Sequence, residues 1–188
     1  MSVKERGGVG QSARRVDGEP KVTGEFAYGS DLRTENMLWG ATVRAPHASA
    51  RILAIHSEPV RHMDGVACVL TAADLEHAKT FGLEFCDQPV LAEDVVRFRG
   101  EAVAIVAAET YEQARHAAAS LVVDYELLPA VTDMEQALQP GAPRVHHFGN
   151  VLRHVHIDHG DPGNAFADVW VEGYYETAMQ DQAALGPE

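Results

Sequence analysis

The 188-residue chain sets 28 Asp and Glu against 15 Lys and Arg, a formal net charge of −13, with 46% hydrophobic and 23% charged residues. Such a field repels phosphate backbones and anionic lipid, and Arg14-Arg15 is the sole adjacent pair of bases, so nucleic acid and membrane surfaces are excluded as expected partners. The composition is that of a globular protein able to bury roughly 70% of its unfolded surface without covalent staples.

The opening MSVKERGGVGQSARRVDG lacks the apolar core of a signal peptide. No apolar run approaches the about 20 residues that span a bilayer, so a cytoplasmic location is expected. Residues 1–15 read as a polar, mobile arm. Its Gly7, Gly8 and Gly10 neither follow a strand nor open a helix, which makes GGVG a weak phosphate cradle.

Patterning begins at Val16. Turn chemistry at Asp17-Gly18 and Gly24 precedes an expected short strand near Phe26–Tyr28. MLWGATVRAP predicts a strand ended by Pro46. ARILAIHS predicts a strand whose two faces, Ile52, Ala54 and His56 against Leu53 and Ile55, are apolar enough to be covered on both sides. VRHMDGVACVLTAADL predicts a short turn or helix, a buried strand over Val66–Leu70, and a helix start capped by Thr71 or Asp74. Residues 76–97 form an irregular excursion with a short element around Ala92–Val96.

The stretch from Ala102 to Val131 is the most legible. AVAIVAA is a continuous apolar run suited to a central strand. Thr110 stands three residues before Gln113, the spacing of a capping box. Ala114, Ala117, Ala118 and Leu121 give the following helix a small apolar face. LVVDYELL is the next strand, ended by Pro129, and the succession predicts a right-handed crossover with both strands in one mixed sheet. DMEQALQP predicts a short helix capped by Asp133. A strand is expected over 152–158, and a long alternating one over DVWVEGYYETAMQD.

Few groups suggest chemistry. Cys68, in an apolar run, and Cys86 read as unpaired thiols, and two cysteines are too few for an iron–sulfur cluster. His146, His147, His154, His156 and His159 lie close in sequence with Asp158 and Asp161. On a strand, His154, His156 and Asp158 share one face and could ligate zinc or iron, or simply form a solvated face. No G-x-S-x-G elbow surrounds any of Ser12, Ser30, Ser49, Ser57 or Ser120. Glu101, after Gly100 at the start of the buried strand, is the carboxylate to watch, as against a solvent-facing edge.

Several ordered stretches, RRVDGEPKVTGEFAYGSDL, MLWGATVRAPHASARI, GVACVLTAADL and DVVRFRGEAVAIVAAETYEQARHAAASLVVDYELLPAVTD, resemble the N-terminal part of the molybdenum-binding large subunit of the xanthine dehydrogenase and aldehyde oxidase family. The resemblance runs from about Val9 to Glu188 and is carried most specifically by Pro46–Ala48, Val96–Gly100 and Val123–Pro129. The stretch from Gly149 to Glu188 resembles bacterial xanthine (purine) dehydrogenases in particular.

The resemblance implies an α+β fold: an α/β-hammerhead domain with a mixed sheet over residues 16–139, then over 140–188 a linker and the first strands of a molybdopterin-binding domain. It implies an oxidoreductase that hydroxylates a purine or aldehyde carbon with oxygen from water. The complete enzyme uses molybdopterin, in bacteria often the cytosine dinucleotide form, with [2Fe–2S] clusters and FAD that can reside on separate subunits. This chain departs from the pattern at Gly100-Glu101, where many relatives have Gly-Gln, and at Leu185-Gly186-Pro187-Glu188, where Leu/Met-Glu-Pro is usual. The glycine-rich cofactor loops and the late glutamate base have no counterpart in these residues, so no catalytic, cofactor-binding or metal position is assigned. The expected role is scaffold and interface, inactive alone and awaiting the remaining molybdenum-binding domains and the iron–sulfur and FAD subunits. Two further readings are a stand-alone hammerhead interaction module and a metal-binding module at His154, His156 and Asp158. The aromatic segment Val169–Met179 is an expected site of homodimerisation.

Overall fold

The computed structural model describes residues 9–10, 12, 15–77, 79–82, 85–161, 163, 166, 168–178 and 180. In chain order they form α1 (Gly18–Thr23), β1 (Trp39–Arg44), β2 (Ala50–His56), α2 (Glu58–Arg61), β3 (Val66–Thr71), β4 (Thr80–Phe81), β5 (Gln88–Pro89), β6 (Val95–Val96), β7 (Ala102–Ala108), α3 (Tyr111–Ser120), β8 (Val122–Leu127) and α4 (Met134–Ala137). Single 3-10 turns stand at Gly29–Asp31 and Ala72–Asp74. Asn36–Gly160 is one compact unit, and the described residues of Met1–Glu35 and Asp161–Glu188 belong to another.

In the larger unit β7 lies between β1 and β3, β2 lies between β6 and β8, and β4 pairs with β5. Every pairing is antiparallel, with Val106 opposite both Ala41 and Val69. The apolar run of β7 explains its central place, since Val103, Ala104, Val106 and Ala108 are all fully buried. Its two faces feed different cores. Ala104 and Val106 pack with Val60, Val69, Ala117 and Leu121, while Val103 packs with Ala45, Ala50, Ala92 and Val96. Ile55 and Val123 touch both clusters.

The mixed sheet and the crossover within it are therefore corrected. Both edges of β7 are already paired, so β8 has no place beside it and joins β2 instead, in antiparallel register. Strand β2 is also covered on one face rather than two, with Leu53 61% exposed.

Helix α3 forms as its sequence dictates. Thr110 Oγ1 accepts from the Gln113 amide at 3.2 Å, and Gln113 Oε1 accepts from the Thr110 amide at 3.0 Å. Ala114 and Ala117 are buried, and their small side chains let the helix settle closely on β1 and β7. The anticipated cap of α4 is present as well, with Asp133 Oδ1 accepting from the Gln136 amide at 2.8 Å. The helix start after β3 is only one 3-10 turn. There Asp74 Oδ2 accepts from the Thr71 amide at 2.7 Å and its hydroxyl at 2.8 Å, which holds the Asp74 carboxyl below its ordinary range, with Arg61 assisting.

Three other expected strands are not formed. Residues 26–28 are instead organised by Lys21, whose ammonium lies 4.5 Å from the Phe26 ring centroid and 5.9 Å from that of Tyr28. Residues 152–158 are exposed and irregular, as are the described residues of 168–180, because among the described residues no neighbouring strand supplies their ladder bonds. Of the GGVG stretch only Val9 and Gly10 are described, in a turn, and Leu185–Glu188 lies outside the described residues.

A Cβ at Gly65 (φ +74°) would collide with the Gln113 side-chain amide of the capping box. Thr110→Ala is expected to cost about 1 kcal/mol, and Gly65→Ala about 1–2 kcal/mol from its left-handed backbone alone. Since both act through Gln113, the double variant loses less than the sum in urea unfolding. Strict additivity would show that the box and Gly65 are independent.

Candidate functional site

The loop between β6 and β7 is where the watched carboxylate belongs. Gly100, at φ +97°, turns the chain, its amide donating to Ala45 O at 2.8 Å while the Ala45 amide donates to Glu101 O at 2.9 Å. This folds the Glu101 side chain inward, leaving the residue 5% exposed rather than on a solvent-facing edge. Glu101 Oε2 accepts from the Arg97 amide at 2.5 Å, and the Arg97 guanidinium lies 3.8 Å from Oε1. A buried carboxylate committed to one backbone donor and one cation is a brace for its loop.

Arg97 also faces a groove of about 390 Å³, with Ser49, Pro129, Arg144, His146 and His147 along it. Asn150 fixes the far wall. Its Oδ1 accepts from the Val145 amide at 2.8 Å, and its Nδ2 donates to Ala137 O and Pro143 O, each at 3.0 Å. His146 stacks on Phe148 with centroids 5.2 Å apart and rings 12° from parallel, while His147 meets Phe148 edge-on. His146 Nδ1 lies 3.1 Å from Asp87 Oδ2, close enough for an ion pair but not aligned as a hydrogen bond, since that shielded oxygen has no hydrogen-bonding partner among the described residues.

The other histidines are arranged differently. His156 Nε2 is 2.9 Å from Asp158 Oδ2, whereas the His154 and His156 ring centroids are 6.5 Å apart, and all three side chains are exposed. His159 and Asp161 are likewise exposed. Without the expected strand, period two no longer aligns these groups. Among the described residues no set of three or more His, Cys, Asp or Glu is gathered to hold a metal ion. Cys68 is half-buried in β3 and Cys86 exposed, both as free thiols.

A second groove, about 460 Å³, lies between β1 and β8 along α3 and carries Thr42, Arg44, Arg115 and Tyr125. Burial pushes the Tyr125 phenol up from its ordinary value. Sequence reasoning singled out neither groove, nor Asp87, Asn150, Arg44 or Arg115. Their roles arise from contacts between distant segments, which leave no local signal.

The described residues present no cradle suited to molybdopterin, a phosphate-bearing anion that calls for convergent amide donors at glycine turns. The described glycines with positive φ stand singly along the chain. The shielded unpartnered polar atom is a carboxylate oxygen, of the wrong charge. No helix of the described residues is long and apolar enough to cross a membrane.

Residues 23–129 match the family described as aldehyde oxidase and xanthine dehydrogenase, a/b hammerhead domain. The chain is 39% identical over 168 residues to a probable xanthine dehydrogenase subunit of Bacillus subtilis, covering 88% of this chain and 23% of that protein. It is 32% identical over 182 residues to the nicotinate dehydrogenase large molybdopterin subunit of Eubacterium barkeri, covering 96% and 43%. The aldehyde oxidoreductase of Desulfovibrio desulfuricans superposes with a TM-score of 0.70 at 30% identity, over 75% of this chain and 17% of that one. The chain thus spans less than half the length of each of these relatives.

Removing the brace tests the loop. Glu101→Ala leaves the part-buried Arg97 amide unsatisfied and is expected to cost about 1–2 kcal/mol in urea unfolding. Glu101→Gln keeps an acceptor at that position and is expected to lose less than about 1 kcal/mol. Equal losses for the two would mean that the charge, not the amide contact, holds the loop.

Proposed function

Because the chain belongs to the aldehyde oxidase and xanthine dehydrogenase family through its a/b hammerhead domain, we propose that it forms the N-terminal part of the molybdenum-binding large subunit of a xanthine dehydrogenase-like hydroxylase. The observation that carries this reading is the continuity of the match, 168 residues at 39% identity falling within 23% of the relative's length. Residues 16–139 serve as the hammerhead domain, and 140–188 lead into the cofactor-binding domain. The whole enzyme hydroxylates a purine or aldehyde carbon with oxygen from water, in the cytoplasm.

These 188 residues contribute shape. The β7-centred unit and its braced loops form a surface against which the molybdenum-binding domains and the iron–sulfur and FAD subunits assemble. Glu101 and Asn150 hold loop backbones, and neither moves a proton. Molybdopterin, [2Fe–2S] and FAD are held by other residues of the assembled enzyme.

Purified alone, the chain is expected to contain no molybdenum by elemental analysis and to leave xanthine unoxidised. Co-expressed with the remaining large-subunit domains and the iron–sulfur and FAD subunits, it co-purifies with them, with molybdenum and turnover present. Stoichiometric molybdenum on the isolated chain, or failure to co-purify, would overturn the reading. Co-purification without molybdenum or turnover would make it an interaction module.

The segment from Val169 bears a row of exposed apolar groups, with Trp170 76% and Tyr175 84% exposed. A homodimer formed through it is the expected state of the isolated chain. Size-exclusion chromatography giving a monomer across a wide concentration range would refute that.

A further inference from the structure

The groove between β1 and β8 has no role in the reading above. Three observations about it converge. First, β1 ends one sheet and β8 ends the other, so the groove is flanked by two strand edges without a pairing partner among the described residues. Such edges present rows of free N–H and C=O groups suited to another extended backbone. Second, the wall from α3 carries Ala118 and Ala119, which leave room, and the floor includes Val43, Leu121 and Val123. Its roughly 460 Å³ is open to solvent, so a segment of chain can enter it.

Third, the groove is cationic in a chain of net charge −13. Arg44 Nη1 donates to Gly100 O at 2.8 Å, and Arg115 Nη1 donates to the Tyr111 hydroxyl at 3.0 Å with its guanidinium 5.5 Å from that ring centroid. Both hydrogen bonds go to neutral acceptors, and among the described residues neither arginine has a carboxylate within ion-pairing distance. Each is held in place while most of its N–H donors stay available. Thr42 on the β1 side and Tyr125 on the β8 side add hydroxyl-bearing residues to the lining. Arg51, Arg61, Lys79 and Arg97 of the same unit are matched to acids, whereas Arg99 and Arg144 are exposed and, like Arg44 and Arg115, show no ion pair among the described residues; only the groove brings two such arginines together beside open strand edges.

We propose that this groove is a docking site for an extended acidic segment of a partner polypeptide, taken up as an added strand with its carboxylates on Arg44 and Arg115. Alternating acidic residues put their side chains on one face of such a strand, while the intervening apolar ones face the floor. The proposal concerns the hammerhead unit alone and does not depend on the cofactor chemistry inferred above.

The test uses the full chain and fluorescein-labelled EVEYEVE, with KVKYKVK as its charge-reversed control, read by fluorescence anisotropy at low ionic strength. The acidic peptide is expected to bind and the basic one not. Arg44→Glu with Arg115→Glu should weaken binding by about tenfold or more, and added salt should weaken it in wild type. Arg99→Glu, an exposed charge outside the groove, makes half the double variant's change in net charge and should have little effect, well under half of its loss in binding energy. Ala119→Trp fills the groove without changing charge and should also weaken binding, which keeps the test decisive if the double reversal fails to fold by circular dichroism. The proposal is overturned if the acidic peptide binds no better than the basic one. It is also overturned if Arg99→Glu weakens binding as much as the groove reversals, or if Ala119→Trp leaves binding unchanged.

Discussion

The larger unit depends on a strand that is filled on every side. β7 has neighbours along both edges and side chains buried on both faces. A strand with that many constraints cannot slip by one residue, because a slip would exchange the Ala104/Val106 face with the Val103 face and mismatch both cores. The rest of the topology follows by exclusion. β8 leaves α3 with no vacancy beside β7 and pairs with β2. The two sheets then share the cores through Ile55 and Val123, which contact both clusters. The outer edges of β1 and β8 remain unpaired among the described residues, and the groove that separates them is a consequence of β7 being complete.

α3 couples to the same constraint. Its alanine face brings the helix close to β1 and β7, and a larger residue at Ala117 would lift it off the β7 core. The capping box fixes where the helix starts, and the turn at Gly65 backs onto it, with the Glu109 amide donating to Gly65 O at 2.9 Å. The start of α3, the start of β3 and the end of β7 are thus tied at one corner. Local signals and long-range packing agree there, which is why the helix begins at the residue that its sequence indicates.

What the sequence made legible divides along that line. Thr110 with Gln113, Asp133, and the apolar run of β7 each carry a local physical cause, and each is found in place. The partner of β8 was not legible, since edge occupancy is a property of the whole sheet and not of LVVDYELL. The expected strands over 152–158 and 168–180 have the right alternation, but alternation only says that a segment could pair. The same gap undid the histidine face, because period two aligns His154, His156 and Asp158 only if a ladder holds the backbone extended. Glu101 illustrates the reverse case. An acid after a glycine reads as surface, yet the Gly100 turn and the Ala45 contacts aim it inward, toward an amide four residues back.

The electrostatics of this unit support the proposed division of labour. Its one strongly buried carboxylate, among the described residues, accepts from a backbone amide through Oε2 and faces a guanidinium through Oε1, so protonating it would weaken its own loop. The imidazole nearest a groove, His146, is pinned between Phe148 and Asp87. Polar groups that are fully engaged in holding backbone give a rigid surface and little chemistry. What the unit does leave unengaged is donor capacity on Arg44 and Arg115, flanked by open strand edges. A rigid frame with unspent hydrogen-bond donors at its rim is suited to receiving another chain, which is what the proposed assembly role asks of it.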